Sequence, residues 1–220
     1  MVDWYSLITF ETISGFLLES DVNDTLSEKV YTAGGDFESQ GVTSIHTSSS
    51  RVKSYLNREI LVDKFDILLS RQDWKKVDRT PDKEYSYRLA PHLIPNWPIT
   101  KIDGDVIKHG DRSIFAKGAD IPQLKFWAGY RRKDQNLESY PKEVSDNLNK
   151  SEVPVLPDII KDVTARIAIH RANRQLKGLI GVNRTKQMFG EFSGESEKVS
   201  ADDSYEMKQL KRIQEYRYLT

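Results

Sequence analysis

The segment from Pro157 to Lys177 constrains this chain more than any other stretch of it. Its carboxylates come first and its cations last. Asp158 and Asp162 stand where a helix dipole is positive, and Arg171, Arg174 and Lys177 where it is negative. Pro157 suits the first helical turn and Gly178 the residue after the last one. At about 100° per residue, Ile159, Ile160, Val163, Ile167 and Ala168 form a broad apolar arc, while Arg166, His170, Arg174 and Lys177 fall within about 80° of one another on a different arc. The spacing predicts a helix anchored in a core by one face and carrying a basic ridge on another. Three roles stay open for that ridge: a solvated face, an ion-pair contact with an acidic neighbour, and a contact with phosphates.

Composition bounds the partners. The 220 residues include 33 Lys and Arg and 33 Asp and Glu, so no global cationic field exists and any DNA contact must be local. Hydrophobic residues make up 38% and charged residues 30%, which predicts a modest core and segments ordered against a partner. With no cysteine, disulfide frameworks, thiolate zinc sites and cysteine nucleophiles are excluded. A reducing cytosol is compatible with that composition. The first residues lack a basic n-region and a long apolar run, and no apolar stretch approaches a bilayer span, so a soluble chain with no membrane partner is expected.

Along the chain, a first helix is expected at residues 5–20, with Thr9 as N-cap and an apolar stripe of Ile13, Phe16 and Leu17. Residues 21–41 read as a polar loop. A second helix is expected over 43–59, with Ile45, Val52, Tyr55 and Leu56 inward and Arg51, Lys53 and Arg58 exposed; the run Ser48 to Ser50 weakens its start. Residues 60–130 read as β structure, with segments at Ile60–Leu69, Trp74–Val77, Tyr85–Leu89, Ile102–Lys108, Ser113–Ala116 and Gln123–Tyr130 separated by glycine and proline turns. Their spacing suggests one small antiparallel sheet or meander. Residues 131–156 read as a polar excursion. Beyond the long helix, Gly178 to Ser200 holds four glycines and few apolar residues, and a short helix returns after Asp202. The fold expected is mainly α with a small antiparallel β region: a helical domain over 1–178 with the β region inserted at about 60–130, then a C-terminal assembly arm and terminal helix over 179–220. Phe189, Phe192, Met207, Leu210 and Ile213 are too sparse to order that arm alone, so another subunit or partner is expected to bury them.

The residues offer no catalytic apparatus. His46, His92, His109 and His170 have no partner at i+3 or i+4 that would make a metal pair. Asp103-Gly-Asp105 and His109-Gly-Asp111 read as turns, since the terminal Glu of a calcium loop is absent. Gly178 and Gly181 with Lys186 lack the Gly-Lys-Ser/Thr ending of a phosphate loop and follow a helix, not a strand. Ser48 to Ser50 have no nucleophile-elbow glycines. Trp74, Trp97, Trp127 and the tyrosines lie on β-like segments, where core packing is their ordinary role. No enzyme, no cofactor and no metal is expected.

Several short phrases, in order, resemble the head–tail connector (adaptor) proteins of tailed bacteriophages. A first helix is introduced by Leu7-Ile8-Thr9. A second ends in Val52-Lys-Ser-Tyr-Leu-Asn-Arg58. Leu93 and Pro98-Ile-Thr-Lys-Ile102 lead into the β region, and a strand ends in Trp127-Ala-Gly-Tyr130. A helix from Pro157 to Lys177 follows, then a polar Gly/Ser arm and a terminal Tyr-Arg helix. The resemblance implies a structural virion subunit of the neck, made in the host cytoplasm. It implies a homo-oligomeric, dodecameric ring between the portal protein and the tail or stopper protein, lining the channel through which double-stranded DNA passes without sequence readout. Arg166, His170, Arg174 and Lys177 are then candidates for the DNA channel or an interface. Phe189, Phe192, Met207, Leu210 and Ile213 are candidates for docking on the portal or a neighbour. Two alternatives remain: a nucleic-acid-binding module using the basic helix face, and an enzyme whose site is assembled from residues distant in sequence.

Overall fold

Two long helices and seven short strands carry the fold, in a computed structural model that describes residues 6–14, 37–179 and 205–217. The chain divides into two compact units. The described part of one is Arg58–Leu156, and that of the other lies within Ser6–Asn57 and Pro157–Tyr218.

The helical unit is built on α1 (Phe10–Ser14), α2 (Phe37–Leu56) and α4 (Asp158–Leu179), with α5 at residues 205–211. α2 begins well before Thr43, where the sequence placed its start. Its buried positions explain why: Gly41, Ser44, Ile45, Ser48, Ser49, Val52 and Leu56 recur at helical spacing along one side. The serines are poor helix formers in isolation, but here they are the small residues of a packed face. Ser44 donates a hydrogen bond of 3.0 Å to Gln175 of α4, and Ser49 accepts one of 3.1 Å from the Leu7 amide. Opposite them α4 also presents small residues, Ala168 and Ala172, in a cluster with Ile8, Ile13 and Ile45. α2 stops at Asn57, whose φ of 53° lies in the left-handed region that asparagine tolerates at a helix end. Val52, Leu56, Val163 and Ile167, expected in the core, are all fully buried. Phe16 and Leu17 lie outside the described residues.

The intervening unit contains two antiparallel sheets. The first has the order β1–β7–β4, formed by β1 (Asp63–Leu68), β7 (Gln123–Ala128) and β4 (Ile99–Asp103). Phe65 stands opposite Phe126 with ring centroids 5.3 Å apart, and the register against β4 shifts between Ile99 and Lys101. The second has the order β2–β3–β6–β5, from β2 (Trp74–Lys76), β3 (Tyr87–Leu89), β6 (Ser113–Ala116) and β5 (Val106–His109). One apolar cluster draws on both sheets: Trp74, Leu89 and Ile114 from the second, with Ile99, Leu124 and Phe126 from the first. Full burial of side chains of this size contributes about 1.5–3 kcal/mol each, which is what holds such short strands together.

The expected fold class is therefore corrected. This is an α+β chain with two antiparallel sheets of seven strands among the described residues, richer in β structure than a mainly helical chain with one small sheet. The segment 102–108 is two strands, because Gly104 at φ 112° turns β4 into β5. Residues 131–156 are also more ordered than a polar excursion. They contain a short helix α3 (Lys142–Ser145) and bury Leu137, Tyr140, Val144, Leu148, Val153 and Leu156. Trp127 Nε1 donates 2.6 Å to the Glu143 carbonyl, tying this stretch to β7.

Candidate interaction sites

The basic ridge of α4 is engaged by neighbouring side chains of its own unit. Arg166 is exposed and donates from Nε to both carboxylate oxygens of Asp162, at 3.0 and 3.1 Å, one turn earlier on the same helix. Asp162 also receives Arg212, at 2.9 Å. Burial pushes the Asp162 carboxyl up, but the hydrogen bonds from Arg166 and Arg212 outweigh it and hold the group below its ordinary range. His170 is half-buried and stacks on Tyr205 of α5 with centroids 4.6 Å apart. Arg174 is exposed, and the side chain of Lys177 lies outside the described residues. Arg166 thus shares its charge with a carboxylate, and His170 is covered by an aromatic ring.

The same contacts place the terminal helix. Arg171 donates from Nε and Nη2 to the two carboxylate oxygens of Glu206, at 2.6 and 2.7 Å, and Arg51 of α2 stands 3.7 Å from the same group. Arg217 lies over the Tyr55 ring at 5.5 Å. Leu210 and Ile213 are fully buried and Met207 is half-buried, so their burial, expected from another subunit, is supplied within the helical unit. Phe189 and Phe192 lie outside the described residues. The sequence reading missed Asp162 and Glu206 as partners. The available signal was the surplus of arginines on α2 and α4 facing a short helix that opens with Tyr205-Glu206.

A second site lies in the β-sheet unit. Arg58 follows directly on Asn57 and was expected to be exposed; it is instead 6% exposed. Its Nη2 donates 2.8 Å to the Trp97 carbonyl, and its guanidinium carbon stands 3.6 Å from the Trp97 ring centroid and 5.6 Å from that of Tyr130. Arg112, exposed in the turn before β6, brings a second guanidinium to 3.8 Å from the same indole. Such stacking is favourable for a desolvated cation. Even so, burial lowers the Arg58 pKa to about 10, with Tyr130 acting to raise it and Arg112 to lower it. Burial lowers that of Arg112 as well.

The scaffold beneath this cluster is tight. Asn96 is buried and donates from Nδ2 to the carbonyls of Leu61 and Ala128, at 3.0 and 3.1 Å, while its Oδ1 accepts 2.9 Å from the Trp97 amide. Gly129 has φ 119°, and a Cβ there would fall 2.6 Å from both Asn96 Nδ2 and the Leu61 carbonyl oxygen. Only glycine satisfies both conditions.

Among the described residues no group of three or more His, Asp or Glu side chains is placed to hold a metal ion, and no helix is long and apolar enough to cross a membrane. Ser48 and Ser49 belong to the packed face of α2, and Gly104 and Gly110 occupy turns at positive φ. Compared with family models, curated proteins and solved structures, the chain matches none of them.

Proposed function

We propose that this chain is a structural subunit of a tailed-phage neck, a head–tail connector that assembles as a ring, dodecameric by the resemblance. In this reading it joins the portal protein to the tail or stopper protein and surrounds the DNA channel. The observation that carries the reading is the convergence of three phrases on which the resemblance rests. Arg58 closes the first, Pro98 opens the second after Trp97, and Tyr130 closes the third. Arg58 stacks near both Trp97 and Tyr130, and the Gly129 amide donates 2.9 Å to the Pro98 carbonyl. Residues about 30 to 70 positions apart thus form one cluster, which supports reading the phrases together and not as chance matches of short apolar strings.

In a ring, each subunit presents different surfaces to its two neighbours. In this reading Arg166, His170, Arg174 and Lys177 of α4 are the candidates for a channel wall or an interface, with Arg166 also paired to Asp162 and His170 stacked on Tyr205. A few cations per subunit, repeated around a ring, guide a duplex through its phosphates without reading sequence. Negative-stain microscopy of the purified protein, alone and mixed with a portal protein, tests the assignment. Rings that seat coaxially on the portal are the expected result. A chain that stays monomeric and leaves the portal undecorated overturns it. Replacing Arg166, Arg174 and Lys177 by Gln then separates DNA guidance, read as a retention or ejection defect in assembled particles, from an interface role, read as failure to form rings.

A further inference from the structure

We propose that Arg58, Arg112 and Tyr130, gathered around the Trp97 indole, form a receptor for one oxyanion, a carboxylate or a phosphate group. Arg58 donates a hydrogen bond from Nη2 to the Trp97 carbonyl, and a side-chain hydrogen bond links it to Tyr130. Its Nε and Nη1 are buried and have no hydrogen-bond partner. Buried polar groups are almost always paired, and a desolvated cation lacking a counter-ion is among the more costly arrangements a protein interior holds.

Among the described residues, no carboxylate acts on the Arg58 charge. The groups acting on the Arg58 charge are a phenol, Tyr130, and a second cation, Arg112. Arg112 has Asp111 as its acidic influence, and that residue is its own chain neighbour. Two guanidiniums therefore share a single indole, at 3.6 and 3.8 Å, with buried donors left over. Planar guanidinium groups match the oxygens of carboxylates and phosphates, and such charge-assisted bonds are stronger than neutral ones. Arg112 is exposed, so an anion reaches the cluster from its side. It meets the exposed Arg112 guanidinium first, and its negative charge beside the shared indole raises the pKa of both arginines. The proposal concerns the Arg58–Leu156 unit alone and does not depend on the connector reading.

The test uses the full 220-residue chain with inorganic phosphate and acetate as probes, each compared with chloride at matched ionic strength. The readouts are the thermal midpoint and the ¹⁵N resonance of the Arg58 Nε–H group. Saturable movement of that resonance with a rise in midpoint is expected. A response to phosphate alone, to acetate alone, or to both supports the proposal and identifies the oxyanion class. Arg112→Gln alters an exposed side chain and leaves the fold intact, and it should weaken the response about tenfold or more. Arg58→Lys provides the second variant, read by the thermal midpoint alone, and should abolish the anion-dependent rise in midpoint. If neither anion differs from chloride, or if Arg112→Gln responds like the parent chain, the proposal is overturned and Arg58 is a structural stack on Trp97.

Discussion

Arg171 and Glu206, 35 residues apart in sequence, meet through two parallel hydrogen bonds of 2.6 and 2.7 Å, with the Glu206 side chain almost fully enclosed. The pair fixes the terminal helix against α4, and Arg51 adds a cation from α2 at 3.7 Å. Removing one partner leaves the other buried without its match, which in general costs about 3 kcal/mol or more. Arg171→Met should therefore speed amide exchange over residues 205–211 by roughly a hundredfold, while the β strands keep their protection. The double variant Arg171→Glu with Glu206→Arg should recover most of that protection. Unchanged exchange in the single variant would show that Leu210 and Ile213 hold the helix without the ion pair.

Asp162 makes the same interface sensitive to acid. Its folded pKa is depressed, so its stabilising contribution is complete above its ordinary value of 3.8 and is lost as pH falls through the lower folded value. Asp162→Asn should be less stable than the parent at neutral pH, by less than about 1 kcal/mol because the pair is partly exposed. The two chains should converge in stability at pH values below 3.8. Urea denaturation of both chains across that range checks the sign. A difference that grows toward acid would contradict it.

Gly129→Ala combines a backbone conformation that L-residues avoid with a Cβ placed against the Leu61 backbone. A cost of at least about 2 kcal/mol is expected, read from the urea midpoint. Gly118→Ala serves as the control, because a Cβ there meets nothing within 4 Å. Similar midpoints for the two variants would show that the Asn96–Leu61 scaffold is less rigid than its geometry.

Ser48 separates packing from hydrogen bonding on α2. Its hydroxyl is buried and has no hydrogen-bond partner. Ser48→Ala removes an unsatisfied group and adds helix propensity, so it should be neutral or stabilising by about 0.5–1 kcal/mol. Ser48→Leu overfills the same face and should destabilise by about 1–3 kcal/mol. Thermal midpoints of the two variants should move in opposite directions.

The helix α4 was legible because its signals were local: the order of charges, Pro157, and an apolar arc within a single segment. The observed span, Asp158–Leu179, differs from the expected one by a residue or two at each end. The start of α2 was not legible, since serine and glycine read as loop formers until a partner helix makes small side chains an advantage. Strands of three to six residues show too few alternations to reveal how many sheets they make. The Arg58 cluster was least accessible, because no spacing announces that residues 58, 97, 112 and 130 will converge. Arg58 looked like one more exposed cation at a helix end, and only the fold removes it from water.

The insertion of Arg58–Leu156 between α2 and α4 also governs the order in which this protein becomes itself during synthesis. The described part of the inserted unit, Arg58–Leu156, is continuous in sequence and can assemble its sheets as soon as it has emerged from the ribosome. α2 cannot. Its partner α4 and the pair Arg171–Glu206 are translated only after the whole insertion, a delay of roughly ten to thirty seconds between α2 and residue 206 at ordinary elongation rates. For that interval the apolar side of α2, with Val52 and Leu56, is without its native cover, and this is when a nascent chain of this design depends most on chaperones.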